Sequence, residues 1–141
     1  AAAVLHAISG LDEHATRLRE LQEDLVSAVT SAVPEAIFNG PPPGEMRLPN
    51  NTHFSFPGCE GDSLLMLLDA AGIDCSTGSA CTAGIPEPSH VLLSMGVDEK
   101  TARASLRFSL GRDSSKEGID HLAQALPGVV ERAKRAGSVS K

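Results

Sequence analysis

The chain contains no tryptophan and no tyrosine, and its aromatic residues are four phenylalanines. The rings that usually stack on nucleobases, and the anchors that dominate protein–protein hot spots, are therefore missing. Positive charge is also scarce. Twelve Lys and Arg stand against eighteen Asp and Glu, for a net charge of −6, which repels phosphate backbones and anionic lipid surfaces alike. Nucleic acid and membrane are thus not expected as partners. No apolar run approaches the ~20 residues needed to cross a bilayer, and no basic segment followed by an apolar one opens the sequence as a secretory leader would. A soluble, cytoplasmic protein is expected. There is no G-x-G-x-x-G and no G-x-x-x-x-G-K-[ST], so neither a dinucleotide site nor a P-loop is signalled. The three cysteines, Cys59, Cys75 and Cys81, are odd in number and lack C-x-x-C spacing, which argues against a disulfide framework and a zinc knuckle and for reduced thiols.

At 141 residues the chain is long enough for one compact domain that buries about two-thirds of its unfolded surface. From 11 to 33 apolar residues recur at steps of three and four (Leu18, Leu21, Leu25, Ala28, Val29, Ala32), the period of an amphipathic helix, which Pro34 ends. A Pro/Gly-rich stretch around Pro41, Pro42 and Pro43 separates two expected strands, 36–38 and 51–56; in the second, Thr52, Phe54 and Phe56 alternate with polar neighbours. A short helix capped by Asp62 or Ser63 should run through Leu68 and stop at Gly72. Pro86 and Pro88 introduce a helix over 89–95. A third strand, 104–110, alternates Leu106, Phe108 and Leu110 with Ser105, Arg107 and Ser109, turning Arg107 away from Phe108. Pro127 cannot supply an interior amide proton, so the tail from 115 to 136 is expected as two helices meeting near Leu126, with fraying at the last residues. Strands interleaved with helices and no internal repeat describe a small two-layer α/β unit.

Three kinds of residue bear on chemistry. Cys81 lies among small residues in the stretch 76–86, where a thiol that must reach a substrate or partner is placed; a cysteine among Ala and Gly can equally be a small buried hydrophobe. Cys59 abuts an expected turn and Cys75 an expected strand, which suits structural roles. Arg107 is a charged residue inside a strand, costly unless paired or facing a cleft. A carboxylate would satisfy it through two parallel hydrogen bonds that lysine cannot imitate, and so would a structural partner or solvent. His53 and His90 titrate near neutrality, but neither belongs to a ligand-spaced pair.

The string Ser76-Thr77-Gly78-Ser79-Ala80-Cys81-Thr82, followed by Glu87-Pro88-Ser89-His90-Val91-Leu92, resembles the catalytic-cysteine segment of cysteine desulfurases. The likeness continues in Leu106-Arg107-Phe108-Ser109-Leu110-Gly111-Arg112, in Pro49-Asn50 with Ser55-Phe56, and in Glu60-Gly61-Asp62-Ser63-Leu64. These segments follow the family's order and spacing from 48 to 112.

The resemblance implies that residues 1–141 form the small C-terminal α/β domain of a fold-type I pyridoxal-phosphate enzyme. Residues 1–35 would be the helical connection from a large cofactor-binding domain, and 76–86 an extended, mobile catalytic-cysteine loop. It implies conversion of L-cysteine to L-alanine, with sulfur carried as a persulfide on Cys81 to an iron–sulfur scaffold or another acceptor protein. Arg107 matches the arginine that holds the substrate carboxylate, Asn50 matches a position near the substrate, and His53 stands where many members carry Asn. In some members the catalytic cysteine also helps hold a nascent iron–sulfur cluster, which makes Cys81 the candidate metal ligand. The full-length parent would be a homodimer. The family's Schiff-base lysine lies in a Ser-x-His-Lys-type segment, whereas the lysines here are Lys100, Lys116, Lys134 and Lys141, none in that context. Pyridoxal phosphate is therefore not expected to bind this chain alone, which is expected to be inactive. Two alternatives remain beside this one: a non-catalytic docking module for a sulfur acceptor or scaffold protein, and a thiol redox protein using Cys75 with Cys81.

Overall fold

A computed structural model of the chain describes residues 2–77 and 87–139. The chain opens with helix α1 (Ala2–Ser9), passes Gly10, and continues as α2 (Leu11–Ala32). On α2 the residues Leu18, Gln22, Leu25 and Val29 are buried, one stripe at three- and four-residue steps. Strand β1 (Ile37–Phe38) and strand β2 (Asn51–Ser55) follow, separated by the Pro/Gly-rich loop. Next come helix α3 (Gly61–Asp69) and a two-residue strand β3 (Ser76–Thr77). After residues 78–86 the chain forms short helices α4 (His90–Ser94) and α5 (Glu99–Arg103), strand β4 (Ser105–Ser109) and the long helix α6 (Lys116–Val139).

The four strands form one antiparallel sheet in the order β1-β2-β4-β3. Alternation sends Phe54 and Thr52 of β2, and Leu106 and Phe108 of β4, to one face, where they are buried beneath α2, α3 and α6 with Leu25, Val29, Leu64, Leu68, Leu122 and Leu126. Phe54 is the centre of this layer. Its ring lies 5.0 Å from Phe38, 6.3 Å from Phe56 and 6.5 Å from Phe108, contacts each worth about 0.5–1.5 kcal/mol beyond their burial. The opposite face carries Asn51, His53 and Ser55 of β2 and Arg107 of β4, against which α4 and α5 lie. The molecule is the small two-layer α/β domain expected from its sequence.

Three expectations are corrected. The strand at 104–110 is the fourth, because Ser76 and Thr77 pair with Arg107 and Leu106 as β3; two residues that read as the start of a loop are sheet, since a pair this short leaves no alternation to see. Helix α3 begins at Gly61, with Glu60 at the N-cap and no side-chain cap, rather than being capped by Asp62 or Ser63. The reason is close packing: a Cβ on Gly61 would sit 2.6 Å from the Arg103 carbonyl oxygen, so a glycine lets the helix start early against that chain. Its other end does stop where expected, with Gly72 at φ +74° and the Ile73 amide donating to the Leu68 carbonyl.

The third correction concerns the tail. Pro127 lies inside one uninterrupted helix, α6. Ile119, Leu122 and Leu126 on one side of it and Val129, Val130 and Ala133 on the other are all buried in the same core, and this continuous stripe outweighs the single amide bond that proline removes. Pro127 itself is exposed, so its replacement disturbs no core packing. Pro127→Ala is accordingly expected to stabilise the protein by about 1–3 kcal/mol, up to the full difference in helix propensity, read as a raised urea midpoint at unchanged slope; a lowered midpoint would show that the proline serves the helix.

Candidate functional site

A cleft of about 400 Å³ opens on the sheet face away from the three large helices. Its floor is made by Asn51 and His53 of β2 and Arg107 of β4. One wall is the loop from Asn39 to Leu48, and the other is Ser89 with α4. Ser89 belongs there because it caps α4, its Oγ accepting from the Leu92 amide at 3.5 Å.

Two guanidiniums reach this cleft, and they differ in availability. Arg47 is engaged by backbone carbonyls of neighbouring residues. Its Nε donates to the Pro41 carbonyl at 2.6 Å, Nη1 to the Asn51 carbonyl at 3.0 Å and Nη2 to the Asn39 carbonyl. Its guanidinium also lies 4.3 Å from the centre of the Phe38 ring. Arg47 is a strap that holds the proline-rich loop to the sheet edge. Gln22 anchors the same loop from below, its Nε2 donating to the Leu48 and Asn51 carbonyls at 2.9 Å each. The Arg107 guanidinium, by contrast, has no hydrogen-bond or ion-pair partner among the described residues, and the residue is exposed and lines the cleft. Among the described residues no Asp or Glu lines the cleft, although acidic residues outnumber basic ones in the chain. The site therefore attracts an anion, and Arg107 is the group free to hold it.

His53 faces Arg107 directly across the β2–β4 pair. Burial, the Arg107 charge and the Arg47 charge together push its pKa below the usual histidine value, so the imidazole is neutral at neutral pH. Its Nδ1 lies 3.1 Å from Asn39 Nδ2, which also donates to Ser55 Oγ at 2.9 Å. An amide N–H at Nδ1 makes that nitrogen the acceptor and leaves the imidazole proton on Nε2.

The residues singled out from sequence fall in different places. Arg107 lies in the cleft. Asn50 lies on the turn before β2, exposed, with its carbonyl accepting from the Leu110 amide at 2.9 Å; its neighbour Asn51, not Asn50, lines the cleft. Cys81 and most of its segment fall outside the described residues, but Ser76, on one side of the segment, pairs with Arg107, and Ser89, on the other, lines the cleft. His90 is exposed on α4 and is not among the lining residues. Cys59 is buried, with its thiol raised in pKa by burial and 3.7 Å from the Val130 carbonyl. Burial, Asp74 and Asp69 push the Cys75 thiol up to about 11, leaving little thiolate near neutrality. Sequence reasoning missed Asn39, Arg47 and Asn51, whose roles rest on contacts between distant stretches; an arginine beside a Pro/Gly-rich loop was the one visible signal.

Comparison with known proteins bears on this site. A family model described as aminotransferase class-V matches residues 1–122. The chain is 55% identical over 130 residues, 92% of its length, to a Mycobacterium tuberculosis protein named IscS-like cysteine desulfurase, of which it covers 33%. It is 42% identical over 128 residues, 91% of its length, to the Clostridium botulinum cysteine desulfurase IscS, of which it covers 32%. Among solved structures, a NifS-like protein from Rickettsia africae superposes with a TM-score of 0.72 at 26% identity, over 87% of this chain and 31% of that one. The chain thus spans about a third of the length of the curated relatives it matches.

Proposed function

Because the chain belongs to the class-V aminotransferase family, we propose that it works as part of a cysteine desulfurase, in which Arg107 anchors the carboxylate of L-cysteine and the Cys81 thiolate takes the sulfur. The observation that carries this reading is the Arg107 guanidinium on the floor of a cleft in which, among the described residues, it has no partner and no Asp or Glu is present. Cys81 stands four residues along the chain from Thr77 of β3, a covalent reach of at most about 14 Å, and Thr77 follows Ser76, the residue paired with Arg107. In the step proposed, the Cys81 sulfur bonds to the substrate sulfur, the substrate carbon–sulfur bond breaks, and the carbon keeps that electron pair and gains a proton. Cysteine becomes alanine and the thiol becomes a persulfide, balanced without an external oxidant. An acceptor protein, such as an iron–sulfur scaffold, would then receive the sulfur from Cys81. Dimerisation of the full-length protein and a cytoplasmic location belong to the same reading; among the described residues no helix is long and apolar enough to cross a membrane.

Members of this family generally use pyridoxal phosphate, and the residues described here do not fit it. Lys100 is exposed on α5, Lys116 lies 3.4 Å from Asp24 and Lys134 2.6 Å from Glu35, and none lines the cleft. The cleft offers donors for a carboxylate and, among the described residues, no amine for an aldehyde.

The test is the full-length protein incubated with L-cysteine and its cofactor, followed by mass analysis of the peptide containing Cys81. One added sulfur, removable by reductant, is the expected result. Alanine formation with that peptide unmodified would overturn the assignment of Cys81.

A further inference from the structure

Among the groups lining the cleft, the His53 imidazole is a donor that the proposed chemistry leaves without a task. His53 lies beside Arg107 on the cleft floor, in direct cross-strand register with it. Side chains of directly opposed residues on one face stand about 4.5–5.5 Å apart at Cβ, a spacing that lets two donors converge on the two oxygens of one carboxylate. The ring is held by Asn39 at Nδ1, and Asn39 is itself buried, 7% exposed, and tied to the fully buried Ser55. The opposite ring nitrogen, Nε2, is then the one that carries a proton, and no hydrogen bond to it is present among the described residues.

We propose that His53 is a second carboxylate-binding residue of this cleft, its Nε2–H donating to the same anion that Arg107 holds. The inference rests on the reading of the cleft as the substrate-carboxylate site. It assigns the two groups different contributions: Arg107 provides the charge and His53 an oriented neutral donor. The charged groups facing His53 are Arg107 and Arg47, both cationic, with no carboxylate among the described residues that line the cleft. That environment resists a third positive charge, on the ring, so the donor stays neutral and its proton stays on the nitrogen that Asn39 leaves free. Asn39 acts here as a positioning residue.

The experiment compares His53→Phe, which removes the donor, with His53→Gln, which keeps an N–H of similar reach, in the full-length enzyme. His53→Phe should raise KM for L-cysteine about 10-fold, the loss of one hydrogen bond to a charged group, with kcat within about two-fold, and His53→Gln should raise KM by less than about three-fold. An unchanged KM in the Phe variant overturns the inference, as do equal rises in both variants, since packing alone would then account for them. Should the Phe variant fail to fold, Asn39→Ala provides the same reading by freeing the ring, with a KM rise of about three-fold expected and an unchanged KM overturning the proposal. Arg107→Lys measured alongside separates the two levels. If it raises KM while His53→Phe does not, the inference alone fails; if neither raises KM, the carboxylate reading of the cleft fails with it.

Discussion

Cys81→Ser in the full-length protein is expected to lower sulfur transfer by at least about 10³-fold, as loss of a covalent nucleophile does. Serine keeps the size and polarity of the residue, so the change isolates the sulfur atom. A thiol with an ordinary pKa of about 8.5 is several per cent ionised near neutrality, whereas a hydroxyl is not, and an oxygen cannot carry the persulfide. The variant should retain the wild-type melting temperature, and alanine release and sulfur delivery should fall together. Retained transfer would show that another sulfur is the acceptor. The two remaining cysteines are poor substitutes: Cys59 is buried in the core and Cys75 is pushed up to about 11. The same shift weighs against the alternative of a Cys75–Cys81 redox pair, because thiol–disulfide exchange begins with a thiolate.

The second large effect is expected at Arg107. Arg107→Lys should raise KM for L-cysteine by about 10- to 100-fold, because a lysine cannot offer two parallel N–H groups to a carboxylate, and hydrogen bonds to charged groups are worth about 1.5–3 kcal/mol each. Stability should be unaffected, since Arg107 makes no hydrogen bond or ion pair among the described residues whose loss would be felt. Steady-state kinetics together with a thermal melt checks both halves, and a KM within about two-fold of wild type would remove the carboxylate from this cleft.

What the sequence disclosed depended on how local the cause was. The stripe on α2, the alternation in β2 and β4 and the stop at Gly72 each follow from a few neighbouring residues, and they were legible. Pro127 misled because the force keeping α6 whole is tertiary: Leu126 and Val129 pack into one core on either side of it. β3 escaped because two residues carry no period, and α5 because five residues amount to little more than one turn behind the Asp98 cap. At the site, the outward aim of Arg107 could be read from its flanking apolar residues. The pairing of His53 with Arg107 could not, since it depends on a register between segments 54 residues apart along the chain. Nor could the strap of Arg47, which acts on carbonyls whose positions only the folded loop defines.

The strand order itself has a consequence for how the site endures thermal fluctuation. β4 is an inner strand, hydrogen-bonded to β2 on one edge and to β3 on the other, so those of its amides that face β2 come free only when this central five-residue pair comes apart. β3 is an outer strand of two residues, and outer strands with few bonds open at a small fraction of the global cost. Arg107 is consequently fastened to the central β2–β4 ribbon, while the chain leading to Cys81 departs from a two-residue edge strand.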